Sequence, residues 1–83
     1  MSPELTLNAL AAGKAAHVSR LLTTGSMRRR LMDIGLIPGE PVRCLFTARH
    51  GNPTAYGIRG AVIALRKEDA ETILVEPDAG LKK

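Results

Sequence analysis

The sequence predicts a mainly β fold: a small, partly open barrel of about five strands with one inserted α-helix and a short helical turn before the last strand. Three observations carry this. The chain has 83 residues, enough for one small domain, placed at residues 1–77 with a frayed tail at 78–83. Its only aromatics are Phe46 and Tyr56 and it has no Trp, so the core must be thin and aliphatic. Short apolar runs separated by Gly- and Pro-containing breaks recur along the chain, and one stretch alone has a helical period.

Leu5 and Leu7 alternate with Thr6, Ala12-Gly13 breaks the chain, and Ala16, Val18, Leu21 and Leu22 follow in a polar–apolar mixture. An antiparallel pair around that break is the simplest account of this first segment. Thr23, Thr24, Gly25 and Ser26 then combine breakers with N-cap types, ending the strand and opening a helix capped by Ser26. Met27, Leu31 and Ile34 fall at i, i+4 and i+7, one face of a 3.6-residue period, with Arg28, Arg29 and Asp33 off that face. Gly35 stands where a left-handed C′ residue is wanted, so the helix stops at about Ile34, and Leu36 and Leu31 form the contact that accompanies a Schellman cap. Pro38-Gly39 has the signature of a type II turn.

From Pro41 onward the signals are β. Val42, Cys44, Phe46 and Ala48 share one parity, and Arg43, Thr47 and Arg49 the other, which predicts a half-buried strand with a basic outer face. His50-Gly51-Asn52-Pro53 reads as a turn, Thr54 to Arg59 as a returning strand, and Ala61 to Leu65 as a third, almost wholly apolar strand after Gly60. Lys67 to Thr72 allows one helical turn with Ala70 inward, and Ile73-Leu74-Val75 makes a last strand closed by Pro77. A small sheet of this order limits its exposed edges by curling on itself, as SH3-like barrels do.

Composition narrows the function classes. Twelve Lys and Arg against eight Asp and Glu leave a net charge of +4, which permits an RNA, anionic-membrane or acidic-protein partner and also simply favours solubility. A single cysteine, Cys44, cannot form an intramolecular disulfide and fits a reducing cytoplasmic setting. Met1-Ser2-Pro3-Glu4 lacks a basic n-region, and no apolar run approaches the roughly 18 to 20 residues that span a bilayer, so neither export nor membrane embedding is expected.

Enzymatic chemistry finds no support in the spacing. There is no Gly-x-x-x-x-Gly-Lys-Ser/Thr phosphate loop and no dinucleotide fingerprint. Cys44 and His50 would stand about 20 Å apart on an extended strand, too far for a nucleophile–base pair. His17, His50, Asp33 and Glu40 are chemically acceptable to ferrous iron but lack any ligand spacing, so no catalytic residue, metal site or cofactor is assigned. A helix-turn-helix is excluded because Pro38-Gly39-Glu40-Pro41 forbids a second helix.

The unusual feature is Arg28-Arg29-Arg30. With Ser26 as cap these residues crowd the positive end of the helix dipole, so local stability does not account for them. A solvated face and a docking patch for an acidic partner or phosphate both explain them. The candidate partner-binding residues are Arg28, Arg29, Arg30 and Leu31 on the helix, with Arg43, Arg49 and Tyr56 on the meander.

The ordered string Arg30-Leu31-Met32-Asp33-Ile34-Gly35-Leu36-Ile37-Pro38-Gly39, then Val42, Gly51-Asn52-Pro53, Ala64-Leu65-Arg66-Lys67, Ala70, Ile73 and Val75, resembles the ferrous iron transport protein A family (FeoA) from Leu5 to Val75. The resemblance implies an SH3-like barrel in the bacterial cytoplasm. It also implies a non-enzymatic accessory role on the cytosolic region of FeoB, the GTPase-linked ferrous iron permease, with the membrane reached only through that partner. The family often has Gly-Asp-Pro where this chain has Gly-Asn-Pro, which bears on any role needing a carboxylate at Asn52. The alternative is a small basic barrel that binds RNA or DNA, for which two aromatics offer few stacking platforms.

Overall fold

A computed structural model describes residues 4–48 and 52–78. Six antiparallel strands form one sheet that is not closed: β1 (Leu5–Thr6), β2 (Ala15–Leu21), β3 (Pro41–Thr47), β4 (Thr54–Ile58), β5 (Ala61–Leu65) and β6 (Ile73–Pro77). Their spatial order is β1-β6-β2-β3-β4-β5. Helix α1 (Gly25–Asp33) connects β2 to β3, α2 (Lys67–Ala70) precedes β6, and a 3₁₀ turn at Leu7–Ala9 follows β1. The mainly β class, the inserted helix and the late helical turn stand as the sequence predicts, with six strands in place of about five.

The first segment differs from expectation. β1 pairs with β6, Leu5 opposite Val75 and Thr6 opposite Leu74, and not with β2. The cause is local: Leu10 N–H bonds back to the Leu7 carbonyl at 3.0 Å, closing the 3₁₀ turn and driving Leu7 into the core before any hairpin can form. The last strand thereby becomes a central one, paired to β1 on one side and β2 on the other.

The end of α1 follows the sequence closely. Leu36 N–H bonds to the Leu31 carbonyl and Gly35 N–H to the Met32 carbonyl, both at 3.0 Å, with Gly35 at φ +116°, which is the Schellman pair. Glu40 N–H then reaches the Ile37 carbonyl at 3.0 Å across Pro38-Gly39, with Gly39 at φ +90°, as a type II turn requires. The start of α1 is earlier than Ser26 implies. Thr24 is the N-cap and Gly25 the first helical residue. Arg28, Arg29 and Arg30 are therefore the fourth to sixth residues of the helix, and Arg30 lies in its last turn, where a cation suits the dipole. Crowding at the positive pole is thus relieved.

The core is aliphatic apart from Tyr56 and Cys44 and gathers Val18, Leu36, Val42, Ile58, Ile73 and Val75 from the sheet and its connections. Leu31, Leu7 and Ala70 are the buried contributions of α1, the 3₁₀ turn and α2. Ala70 points inward as expected, whereas Ile34, on the same helical face as Leu31, is 40% exposed.

β3 departs from simple alternation. A bulge between Cys44 and Phe46 places Cys44 opposite Tyr56 and Phe46 opposite Ala55. Inserting one residue reverses the facing of everything beyond it. Phe46, expected on the parity of Val42 and Cys44, consequently lies 61% exposed. The turn expected at residues 50–53 falls partly outside the described residues. Its Asn52 is described, and its Oδ1 accepts a hydrogen bond from Lys67 N–H at 3.0 Å. An amide oxygen suffices for that tie between the β3–β4 and β5–α2 connections, so no carboxylate is required there.

Candidate functional site: the arginine helix and the meander

Arg28 and Arg29 project from the exposed side of α1, where a shallow depression is lined by both together with Gly25, Met32 and Asp33. Arg28 Nη1 donates to Met32 Sδ at 3.2 Å, one turn along the helix. Arg30 stands apart, on a groove of about 230 Å³ between α1 and β5 that Leu31, Ile34, Ala64, Leu65 and Asp69 also line. None of the three guanidinium groups makes an ion pair among the described residues. The triplet is thus two surfaces, one presenting two free cations and one a single cation beside an apolar groove.

The other candidate residues divide as well. Leu31 is buried, serving as the helix's anchor in the core. Tyr56 is 1% exposed and its hydroxyl donates to the Leu7 carbonyl at 3.3 Å, while burial pushes its phenol above the ordinary value. A side chain so placed offers no docking surface, so Tyr56 is withdrawn from the candidate set. Arg43 is exposed on β3 and donates to the Gly13 carbonyl at 3.1 Å. Arg49 lies outside the described residues.

Cys44 is buried and its thiol is raised by desolvation, which disfavours the thiolate that a nucleophile or metal ligand needs. His17 holds two carboxylates, Asp78 at 3.0 Å from Nδ1 and Glu76 at 3.2 Å from Nε2. The hydrogen bond to Asp78, with that to Glu76 behind it, holds the imidazole above its usual range against the opposing effect of burial. The two acids approach opposite ring nitrogens, so they clasp the ring and do not converge on a common point. Among the described residues no group of three or more His, Cys, Asp or Glu side chains is arranged to hold a metal ion.

One surface escapes the sequence reading. Residues directly opposite one another in a sheet share a face, so Phe46, Ala55 and Ala64 form one row across β3, β4 and β5, and Arg43, Gly57 and Val62 another. The bulged Leu45 covers Gly57, where an added Cβ would sit 3.6 Å from its side chain. Apart from Arg43 these rows are apolar, with Phe46 61% and Val62 65% exposed. The apolar run of Ala61 to Leu65 was the visible signal, but it equally describes a buried strand. The bulge had no signal at all.

The family model described as the FeoA domain matches residues 5–77. Over 72 residues the chain is 31% identical to the Fe(2+) transport protein A/Fe(2+) transporter FeoB fusion protein of Porphyromonas gingivalis; the match takes in 87% of this chain and only 8% of that protein. The solution structure of the FeoA protein from Chlorobium tepidum is 35% identical, with a TM-score of 0.86 over 94% of this chain and 74% of that one. The FeoA of Stenotrophomonas maltophilia, described as an SH3 domain protein and solved with zinc, is 27% identical, with a TM-score of 0.78 over 86% of this chain and 88% of that one. With the SH3-like sheet, the inserted helix and the match over nearly its whole length, this chain belongs to the FeoA domain family of ferrous iron transport.

Proposed function

We propose that this chain is a non-enzymatic, cytoplasmic accessory of ferrous iron uptake that docks on the cytosolic region of the permease FeoB and modulates it. The observation that carries the reading is the fusion relative, in which a stretch 31% identical to this chain is joined to FeoB in one polypeptide. Evolution tolerates such a join when the two parts work side by side, and the join raises the effective concentration of each for the other. Contact with the membrane is then through the partner. No described helix is long and apolar enough to cross a bilayer.

On this reading Arg28 and Arg29 supply a docking face for an acidic surface, while Arg30 on the α1–β5 groove and Arg43 on the meander stand as separate contacts. Exposed charges act chiefly on encounter rate and register. Replacing both Arg28 and Arg29 with Gln should leave the thermal midpoint within about 2 °C, since neither makes an ion pair among the described residues, while slowing association with the isolated FeoB cytosolic region severalfold. Raising salt from 50 to 300 mM should reproduce the loss in the wild type and do little to the variant. Equal on-rates for both proteins at low salt would leave the arginines as a solvated face. The reading with RNA or DNA as partner rests on one stacking platform, Phe46, beside Arg43, and predicts that Phe46→Ala abolishes binding to single-stranded oligonucleotides.

A further inference from the structure

Among the described residues β5 is the outermost strand of the sheet, bonded only to β4. The β4–β5 reversal has two residues, Arg59 at φ +54° and Gly60 at φ +80°, which makes Ile58 and Ala61 a hydrogen-bonded pair. Pairing alternates from there. Ala61, Ile63 and Leu65 spend their N–H and C=O groups on β4, and Val62 and Ala64 turn theirs outward along the free edge. Proteins usually guard such an edge with Lys, Pro, a bulge or an inward charge. β5 has none of these over Ala61-Val62-Ile63-Ala64-Leu65, a groove separates its Ala64–Leu65 end from α1, and its outer side chains continue two rows, Ala64–Ala55–Phe46 and Val62–Gly57–Arg43.

The charges around this edge select its occupant. Arg59 stands at one end and Arg66 with Lys67 at the other, and Arg43 closes the row that contains Val62. Arg59 is ion-paired to Glu40 at 3.2 Å, while Arg43 and Arg66 have no ion pair among the described residues. A second copy could pair antiparallel about Ile63, with Val62 opposite Ala64. That register sets Arg59 opposite Lys67 twice over, and like charges directly opposed are destabilising.

Resting on the proposed association with the permease, we infer that β5 accepts an added strand: an extended segment of a different protein with alternating apolar residues and a carboxylate at each end. Main-chain bonds to Val62 and Ala64 supply affinity, and the flanking arginines supply register. The expected spacing of the two carboxylates is about six to eight residues, the reach from Arg59 to Arg66 at roughly 3.3 Å per residue.

The test is amide hydrogen exchange followed by NMR on the whole chain with two probes. One is a capped nine-residue peptide of alternating Val and Thr with Asp at both ends, and the other is the isolated cytosolic region of FeoB. In the free protein Val62 and Ala64 should exchange quickly and Ile63 slowly. The peptide should slow Val62 and Ala64 at least tenfold, leave Ile63 unchanged, and lose this effect with Val62→Lys, whose thermal midpoint should stay within about 2 °C of wild type because Val62 is largely exposed. No slowing at millimolar peptide overturns the inference, as does protection in the free protein that rises with its own concentration. The second probe separates the two readings. FeoB binding that leaves Val62 and Ala64 unprotected keeps the association and removes the strand site, whereas protection by peptide without any FeoB binding keeps the site and removes the association.

Discussion

β6 and β5 are both runs of aliphatic residues, yet Ile73 and Val75 in β6 are fully buried while Val62 in β5 is 65% exposed. Composition does not separate them; position in the sheet does. β6 lies between β1 and β2 and has its backbone groups bonded on both sides, with Ile73 and Val75 on the inner face of the curl. β5 has a neighbour on one side and turns Val62 and Ala64 to the outer face. Apolar content in a strand thus has two uses, interior packing and a surface for association, and only the pairing map tells which is in force.

The contrast can be broken most forcefully at its buried end. Ile73→Ala should cost about 2–5 kcal/mol, a fall of at least ~10 °C in the thermal midpoint, because a fully buried side chain leaves a cavity between strands that cannot close up. Val62→Ala removes a comparable volume from β5 and should change stability by no more than about 0.5 kcal/mol. Paired calorimetric melts giving similar losses would show that the outer face of β5 is covered in the free protein.

A second test presses on the junction between α1 and the edge hairpin. Gly35 has φ +116°, and a Cβ there would lie 2.9 Å from Ile58 Cγ2 and 3.1 Å from Arg59 Cδ. Gly35→Val should therefore cost about 1–3 kcal/mol from the backbone alone, with the collision against β4 in addition. A melt matching wild type would mean that the helix leaves its axis elsewhere.

The third test tunes the central strand gently. His17 on β2 sits opposite Glu76 on β6 and also holds Asp78 just beyond it. Because these acids raise the imidazole above its unfolded value, the stabilisation is complete below about pH 6.5 and is lost as pH climbs through the folded value. His17→Gln should lower the midpoint by ~1–3 °C near pH 6 and have no effect near pH 8.5, a small change since all three groups are solvated. A difference that grows with pH would reverse the assignment.

How far the sequence was legible follows the range of the forces involved. The end of α1 and the Pro38-Gly39 turn depend on residues within six positions of each other, and Gly35, Leu31, Leu36 and Gly39 declare them. The partner of β1 was not legible, since Leu5 meets Val75 across the whole length of the fold and any apolar strand could have served. The bulge at Cys44–Phe46 was equally silent, and it moved Phe46 outward. For the candidate site, Arg28 and Arg29 stand on the surface as their polarity implies, whereas Tyr56 went to the core because an aliphatic sheet had room for one large ring and Leu7 offered its hydroxyl an acceptor. Arg30 falls in the last turn because the cap lies two residues earlier than Ser26, at Thr24, and helical spacing sets it beside Leu31 and Ile34 on the groove facing β5.

That β6 occupies the middle of the sheet also sets a schedule for synthesis. The ribosome delivers β1 to β5 before β6, and until β6 emerges β1 has no strand to join and one side of β2 is bare. The meander of β3, β4 and β5 joins strands that are neighbours in sequence, so it can assemble early with little loop to close. The nascent chain can therefore pass through a stage in which its most exposed apolar surface is already shaped while its interior is still open on one flank. Rare codons or a pause between Leu65 and Ile73 would lengthen that stage, and with it the time in which chaperones or neighbouring chains can reach the unfinished sheet.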